Sequence, residues 1–288
     1  MSNVETLVPK PAGRSIGAIL VEAGRLKLED AERIMRLQRE QGLRFGDAAL
    51  QLGLVSEADI QFALTHQYGY PCLVRGETKV SEALVAAYTA TGPQVEALRA
   101  LRSQLMLRWF DVDNAHKALA VTSPGRKEGC SFVAASLAVV FSQLGERTLL
   151  IDGDLRNPSQ HELFGVSNRV GLSTALSGRP WHDAVQRIPA LLSLSVLPAG
   201  ALPPNAPELL SRPVFPQMLN ELAQRFDVIL LDTPAASDCS DAQTIAQRAG
   251  AALIVARRNV TRMAPLRALA ESAKEMGAVV VGTVFNDF

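Results

Sequence analysis

The sequence predicts an α/β protein, a doubly wound and mostly parallel sheet, with a small helical repeat domain in front of it. Three observations carry that expectation. Six short apolar runs alternate with helical stretches beyond residue 93. The first run leads through a glycine turn into an apolar helix, FVAASLAVVFSQLG. Near the start, Gly17, Gly24 and Gln38 recur as Gly46, Gly53 and Gln67, each 29 positions on. A length of 288 residues fits two domains. With 48% apolar and 20% charged residues, most of the chain can bury a core. Basic and acidic side chains number 29 each, so no global field draws the chain onto nucleic acid or anionic lipid. Three scattered cysteines, Cys72, Cys130 and Cys239, argue against a disulfide framework or zinc cluster and for a reducing compartment.

Residues 1–13 lack the apolar core of a secretory signal and read as a flexible N-terminus. Residues 14–70 form the repeat. Each unit has a glycine-bounded turn of helix, IGAILVEAG or FGDAALQLG, then a helix opened by acidic residues and closed by glutamine. A helical interaction module is the bland account of such a pair. Residues 71–92 mix Pro, Gly, Thr and short apolar runs, the pattern of a connector with one short helix. From 93 to 288, a helix (VEALRALRSQLMLRW) precedes strands expected at 119–122, 148–152, 194–197, 228–232, 252–256 and 279–285. Strands apolar on both faces require a sheet covered on both sides. The charge-free stretches 129–145 and 188–207 are too short or too rich in proline to cross a bilayer.

The chemistry-bearing motifs follow three of those strands. SPGRKEGCSF has the setting of a phosphate-binding loop, where unpaired N–H groups at a helix start cradle phosphate oxygens. Gly129 and Ser131 hold their usual places, and Cys130 occupies the lysine slot. A lysine ammonium there gives a charge-assisted hydrogen bond worth roughly 1.5–3 kcal/mol, which a neutral thiol cannot replace. Phosphoryl transfer is therefore expected to be weak. Arg126 and Lys127 are surrogate cations in reach, although solvation at the loop surface is the simpler fate for both. LLIDGDLRNP places Asp152 and Asp154 at a strand end, as Mg2+ ligands, partners of such ligands or orienters of an attacking hydroxyl, with a structural cap as the plain reading of one alone. FDVILLDTPAA ends in Asp232, the position of a Walker B carboxylate. Cys130 at a helix start is either a reactive low-pKa thiol or a neutral packing one, the second being the simpler.

With VVGTVFND added, these motifs resemble the series found in bacterial tyrosine kinases that control polysaccharide chain length and export, over about residues 93–288. The resemblance implies a P-loop ATPase fold with ATP and Mg2+ as cofactors. It implies nucleotide contacts from Gly125, Lys127, Glu128, Gly129, Cys130, Ser131, Phe132 and, near the adenine, Asn286. It assigns catalysis to Asp152 and Asp154, and metal binding to Ser131, Asp152 and Asp232. Glu96, Arg99 and Arg102 match the family's oligomerisation motif E-x-x-R-x-x-R, whose alternative is an exposed helix carrying an ion pair three residues apart. The implied protein is a cytoplasmic homo-oligomer, held at the inner membrane face by a transmembrane chain-length determinant. Two features depart from the family: the loop residues Lys127 and Cys130, and the tyrosines, which are Tyr68, Tyr70 and Tyr88 with none in a C-terminal cluster, so that no phospho-acceptor tail is expected.

The repeat is similar to the N-terminal domain of type II secretion and pilus ATPases, some of which bind cyclic di-GMP. The resemblance implies a dinucleotide site from Arg14, Gly17, Gly24, Gln38, Arg44, Gly46, Gly53 and Gln67, with Ser15 in the first arginine slot and Arg25 at an apolar position. HELFG fails as a zinc motif, and aromatics at 5% give no base-stacking pattern, so no nucleic-acid partner is expected. Two functions stay open on the sequence: a kinase-like ATPase subunit of exopolysaccharide assembly, and a non-catalytic oligomeric scaffold or cyclic di-GMP sensor of that machinery. A partition-type ATPase explains neither the repeat nor Glu96, Arg99 and Arg102.

Overall fold

Runs that are almost wholly apolar become strands in a sheet covered on both faces, and all six expected runs form strands. In the computed structural model, which describes residues 15–67, 70–110, 116–189 and 191–287, the chain divides into two compact units, Met1–Cys72 and Leu73–Phe288. The expected flexible segment 1–13, Arg14 and Tyr68 lie outside the described residues.

In the first unit, α1 (Ile16–Glu22) and α2 (Leu28–Gln41) form one repeat, α3 (Phe45–Gln51) and α4 (Glu57–Gln67) the other. Ser15 caps α1, its hydroxyl accepting the Ala18 N–H, so the residue in the first arginine slot has a structural task. Acidic residues open both long helices, Glu29 and Asp30 in α2, Glu57 and Asp59 in α4, where they complement the helix dipole. Leu20, Ile34, Ala48, Ala49 and Ala63 form the fully buried centre. The repeated glycines do two jobs. Gly24 and Gly53 have φ of 68° and 63°, left-handed values that end the short helices. Gly17 instead admits a neighbour: a Cβ there would lie 2.9 Å from the Phe45 ring. We expect Gly17→Ala to cost about 1–3 kcal/mol of stability, read as a lower midpoint for the helical unit in thermal unfolding. An unchanged midpoint would show that Phe45 gives way freely.

The second unit begins with α5 (Val85–Tyr88) and α6 (Pro93–Leu105), which widens into a π-helical turn at Met106–Phe110. The stretch read as a connector is built onto this unit from Leu73 onward. Leu73 N–H donates to the Ala87 carbonyl, Ser81 N–H to Leu163, and the Gln143 amide to the buried Ala86 carbonyl. The strands are β1 (Ala118–Thr122), β2 (Thr148–Asp152), β3 (Gln186–Arg187), β4 (Leu194–Leu197), β5 (Val228–Asp232), β6 (Ala251–Arg257) and β7 (Val279–Asn286). Their order in the sheet is β3-β4-β2-β5-β1-β6-β7, parallel throughout except β3 on β4. Two polar residues at an edge carry no periodic signal, which is why β3 is not among the six runs expected.

Alternation explains the apolar runs. Leu119, Val121, Leu150, Val228 and Leu230 point into a core shared with α7 (Cys130–Gln143), α5 and α6. Ala120, Leu149, Ile151, Ile229 and Leu231 point into the opposite core, under the helices 206–211, 214–225 and 241–249. Helices on both faces make the sheet doubly wound, as the sequence predicts. Among the described residues, no helix is long and apolar enough to cross a membrane.

Candidate functional site

Parallel strands end at one edge, so the loops after β1, β2 and β5 converge there. Register makes this closer than the motifs alone require: Asp232 pairs with Val121 of β1 and with Asp152 of β2, which puts the two aspartates side by side on neighbouring strands. The loop after β1 enters α7 at Gly129, whose φ of 88° makes the turn. First-turn N–H groups of a helix have no acceptor within it. They open on a cavity of about 350 Å³ lined by Gly125, Lys127, Gly129, Cys130, Ser131 and Phe132 of the loop and by Asp154 opposite.

Side chains brace the loop from behind. The Glu128 carboxylate is buried, accepting Gly125 N–H at 3.1 Å and the Thr261 hydroxyl at 2.6 Å. Asn286 donates its amide to the Glu128 carbonyl at 3.1 Å, and Arg257 reaches the Lys127 carbonyl at 3.5 Å. Arg126 pairs with Asp238 at 2.5 Å. Cys130 is 8% exposed, and its thiol donates to the Val121 carbonyl at 3.1 Å. Burial, then the neighbouring Asp232, push that thiol well above its usual range. It is the neutral packing thiol of the two alternatives.

The carboxylates lie at two depths. Asp154 stands on the cavity wall, one oxygen accepting the N–H groups of Arg156 (3.0 Å) and Asn157 (2.8 Å). Asp152 and Asp232 are fully buried and are absent from the cavity lining. Asp152 accepts N–H bonds from Ser159 (3.0 Å) and Gln160 (2.9 Å), capping the short helix α8 (Gln160–Phe164), the arrangement of a structural cap. Burial raises its carboxyl well above the usual range, and Asp232 beside it adds to the effect. Burial likewise lifts Asp232 from 3.8 to about 6, against the hydrogen bond from Gln160 that favours its charged form. Asp232 Oδ2 accepts the Gln160 amide at 2.7 Å, while its Oδ1 is buried without a partner.

Gln160 is the residue sequence reasoning missed. Fully buried, it donates one side-chain N–H to Asp232 and another to the Ser131 carbonyl at 3.0 Å, while its main-chain N–H holds Asp152. The only local signal is a glutamine beginning a helix directly after the second acidic motif.

The residues fit a metal that arrives with phosphates. Among the described residues no three His, Cys, Asp or Glu side chains cluster as a metal cage. Mg2+ usually takes one or two carboxylates plus phosphate and water, and Asp232 offers Oδ1 as an orphaned acceptor while its Oδ2 is tied through the Gln160 amide to the turn that carries Ser131. Phe132 and Asn286 also line a second cavity, of about 760 Å³, walled by Leu98, Leu101, Val133 and Phe285. On α6, Glu96 and Arg99 form the i,i+3 pair at 2.6 Å, and Arg102 donates to the Val140 carbonyl of α7 at 2.8 Å.

In the helical unit, Gly17, Gln38 and Gln67 line a cavity of about 790 Å³ together with Met35 and Phe45. Gly24, Arg44, Gly46 and Gly53 do not line it; Arg44 is exposed at the start of α3. Arg25 ties the two repeats together, pairing with Asp59 at 3.0 Å and stacking 4.0 Å over the Phe62 ring.

Residues 116–279 match the family model described as cellulose biosynthesis protein BcsQ. The putative tyrosine-protein kinase CapB of Staphylococcus aureus is 32% identical over 191 residues, covering 66% of this chain and 83% of that one. Tyrosine-protein kinase Wzc of Salmonella typhimurium is 33% identical over 203 residues, covering 70% of this chain but only 28% of its own length. The kinase domain of the Escherichia coli tyrosine kinase ETK superimposes with a TM-score of 0.67 at 31% identity, covering 74% of this chain and 82% of that domain.

Proposed function

The chain belongs to the family of cellulose biosynthesis protein BcsQ, where tyrosine-protein kinases are its relatives, and on that premise we propose that it is an ATP-binding, kinase-like regulator of exopolysaccharide chain length and export. The observation that carries the reading is the loop cavity, with helix-start N–H groups on one side, Asp154 on the other and Asp232 beneath. In this reading the main-chain N–H groups of 129–132 hold the phosphates, and the base lies in the apolar cavity beside Asn286. Mg2+, when bound between Ser131 and Asp232, would neutralise phosphate charge. Asp154, the carboxylate on the wall, would accept a hydroxyl proton in this reading, and Asp152 positions α8 and through it Gln160. A neutral thiol at 130 leaves the outer phosphates short of a donor, so transfer is slow.

The same thiol supports a second reading, a nucleotide-dependent scaffold that binds without turnover. In either case the chain is cytoplasmic and homo-oligomeric through Glu96, Arg99 and Arg102, and it works with a transmembrane chain-length determinant. The helical unit serves as its interaction module. Cyclic di-GMP would meet Gln38 and Gln67 at one cavity but Arg44 outside it, and titration before and after Arg44→Ala tests that ligand.

Calorimetric titration of the full chain with ATP, with and without Mg2+, alongside phosphate release, tests the proposal. Saturable, Mg2+-dependent binding with slow release is expected. Binding with no release favours the scaffold. No saturable binding at millimolar ATP would sink both readings.

A further inference from the structure

The loop has lost its ammonium at 130, and we propose that Lys127, three residues upstream, supplies it to the outer phosphates of the nucleotide; this rests on the nucleotide reading above. Lys127 has a φ of 58°, in the left-handed region that favours glycine. Among the described residues the only other non-glycine there is Asn259, a residue type that tolerates the conformation. A long side chain kept in a glycine conformation at a site calls for a reason beyond the turn itself, since glycine would make the turn more easily.

The neighbours narrow what that reason is. Arg126 is committed to Asp238, the Glu128 carboxylate is turned inward onto Gly125 and Thr261, and the Cys130 thiol is neutral and bonded to the strand below. Lys127 lines the loop cavity, is exposed, and makes no ion pair among the described residues. Its backbone is held from outside, by Arg257 on its own carbonyl and Asn286 on the next, so the side chain is not needed to fix the loop. A polyphosphate entering this cavity meets an ammonium on its wall, delivered from 127 instead of 130. The strain and the lost cation are then one exchange: the loop accepts a less favourable turn and regains a charge.

Titration of ATP and AMP into the full chain and four variants, each with its thermal midpoint, tests this. Lys127→Gly relieves the left-handed strain, so its midpoint should hold or rise, while ATP affinity falls about 10- to 100-fold and AMP affinity changes little. Lys127→Arg, which keeps the charge, should retain most of the affinity. The double variant Lys127→Gly, Cys130→Lys should recover it by returning the cation to 130. Native chain that binds ATP no differently from Lys127→Gly overturns the proposal and leaves the nucleotide reading standing. So does a larger loss of ATP affinity in Arg257→Ala than in Lys127→Gly with AMP affinity and thermal midpoint unchanged, which would give the role to Arg257. Native chain that binds no ATP overturns both.

Discussion

Replacing Cys130 by lysine is expected to tighten ATP binding by about 10- to 100-fold and to speed phosphate release by roughly 10²–10³. The first figure is the worth of one charge-assisted hydrogen bond to a phosphate oxygen. The second is what enzymes lose when one donor aimed at developing charge is removed, applied in reverse. Everything else around the cavity is in place: Gly129 makes the turn, Ser131 follows it, and Asp232 waits beneath with an unpartnered oxygen. The lysine stem has to leave the buried spot that the thiol fills under the Val121 carbonyl and extend into the cavity. Some stability is lost with that contact, so affinity and thermal midpoint should move in opposite directions. Equal affinity and equal turnover in the two chains would show that position 130 plays no part in phosphate binding. The gain should be smaller on top of Lys127 than in the Lys127→Gly background, since two ammonium groups in one small cavity repel each other.

Asp232→Asn is expected to stabilise the protein at neutral pH while removing Mg2+-dependent nucleotide binding. Burial raises this carboxyl from 3.8 to about 6. Between those values the unfolded chain gives up the proton and the folded chain keeps it, so stability falls as pH rises from about 4 to about 6 and the penalty is complete above that. A shift of about 2 pH units corresponds to ~3 kcal/mol. Asparagine keeps an oxygen for the Gln160 amide and carries no charge to bury. The variant should therefore unfold at a higher temperature than the native chain at pH 8 and at a similar one at pH 4. Thermal unfolding at the two pH values, with and without MgATP, separates the effects: native chain gains from MgATP and the variant does not. An equal gain in midpoint at both pH values would rule out the buried charge as its cause. The residue that weakens the fold is thus the one proposed to serve the metal.

Much of the fold was legible because its signals are local. Runs such as VILLD and ALIVA have one stable use, as strands covered on both faces, and the observed β5 and β6 extend them by at most a residue at either end. Gly24 and Gly53 were readable as helix ends, whereas Gly17 needed the position of Phe45 to explain it. β3 was not readable, because Gln186 and Arg187 are a strand only by virtue of the β4 edge they meet. The site divides in the same way. Its loop and acidic motifs carry their chemistry in adjacent residues; Gln160 does not, since its amide acts on groups 29 and 72 positions away.

The sequence by itself determined a thiol in place of an ammonium, three aspartates at or just beyond two strand ends and a glycine turn leading into an apolar helix, because each depends only on side-chain type and short-range pattern. Only the tertiary structure decided that Asp152 and Asp232 lie side by side and buried while Asp154 keeps the wall, and that Glu128 turns inward and Lys127 takes a glycine's backbone. The first of those outcomes follows from strand order and register. Once β5 lies between β2 and β1, the carboxylates at the strand ends are neighbours in a place without water, and their charge states and partners are set by that proximity.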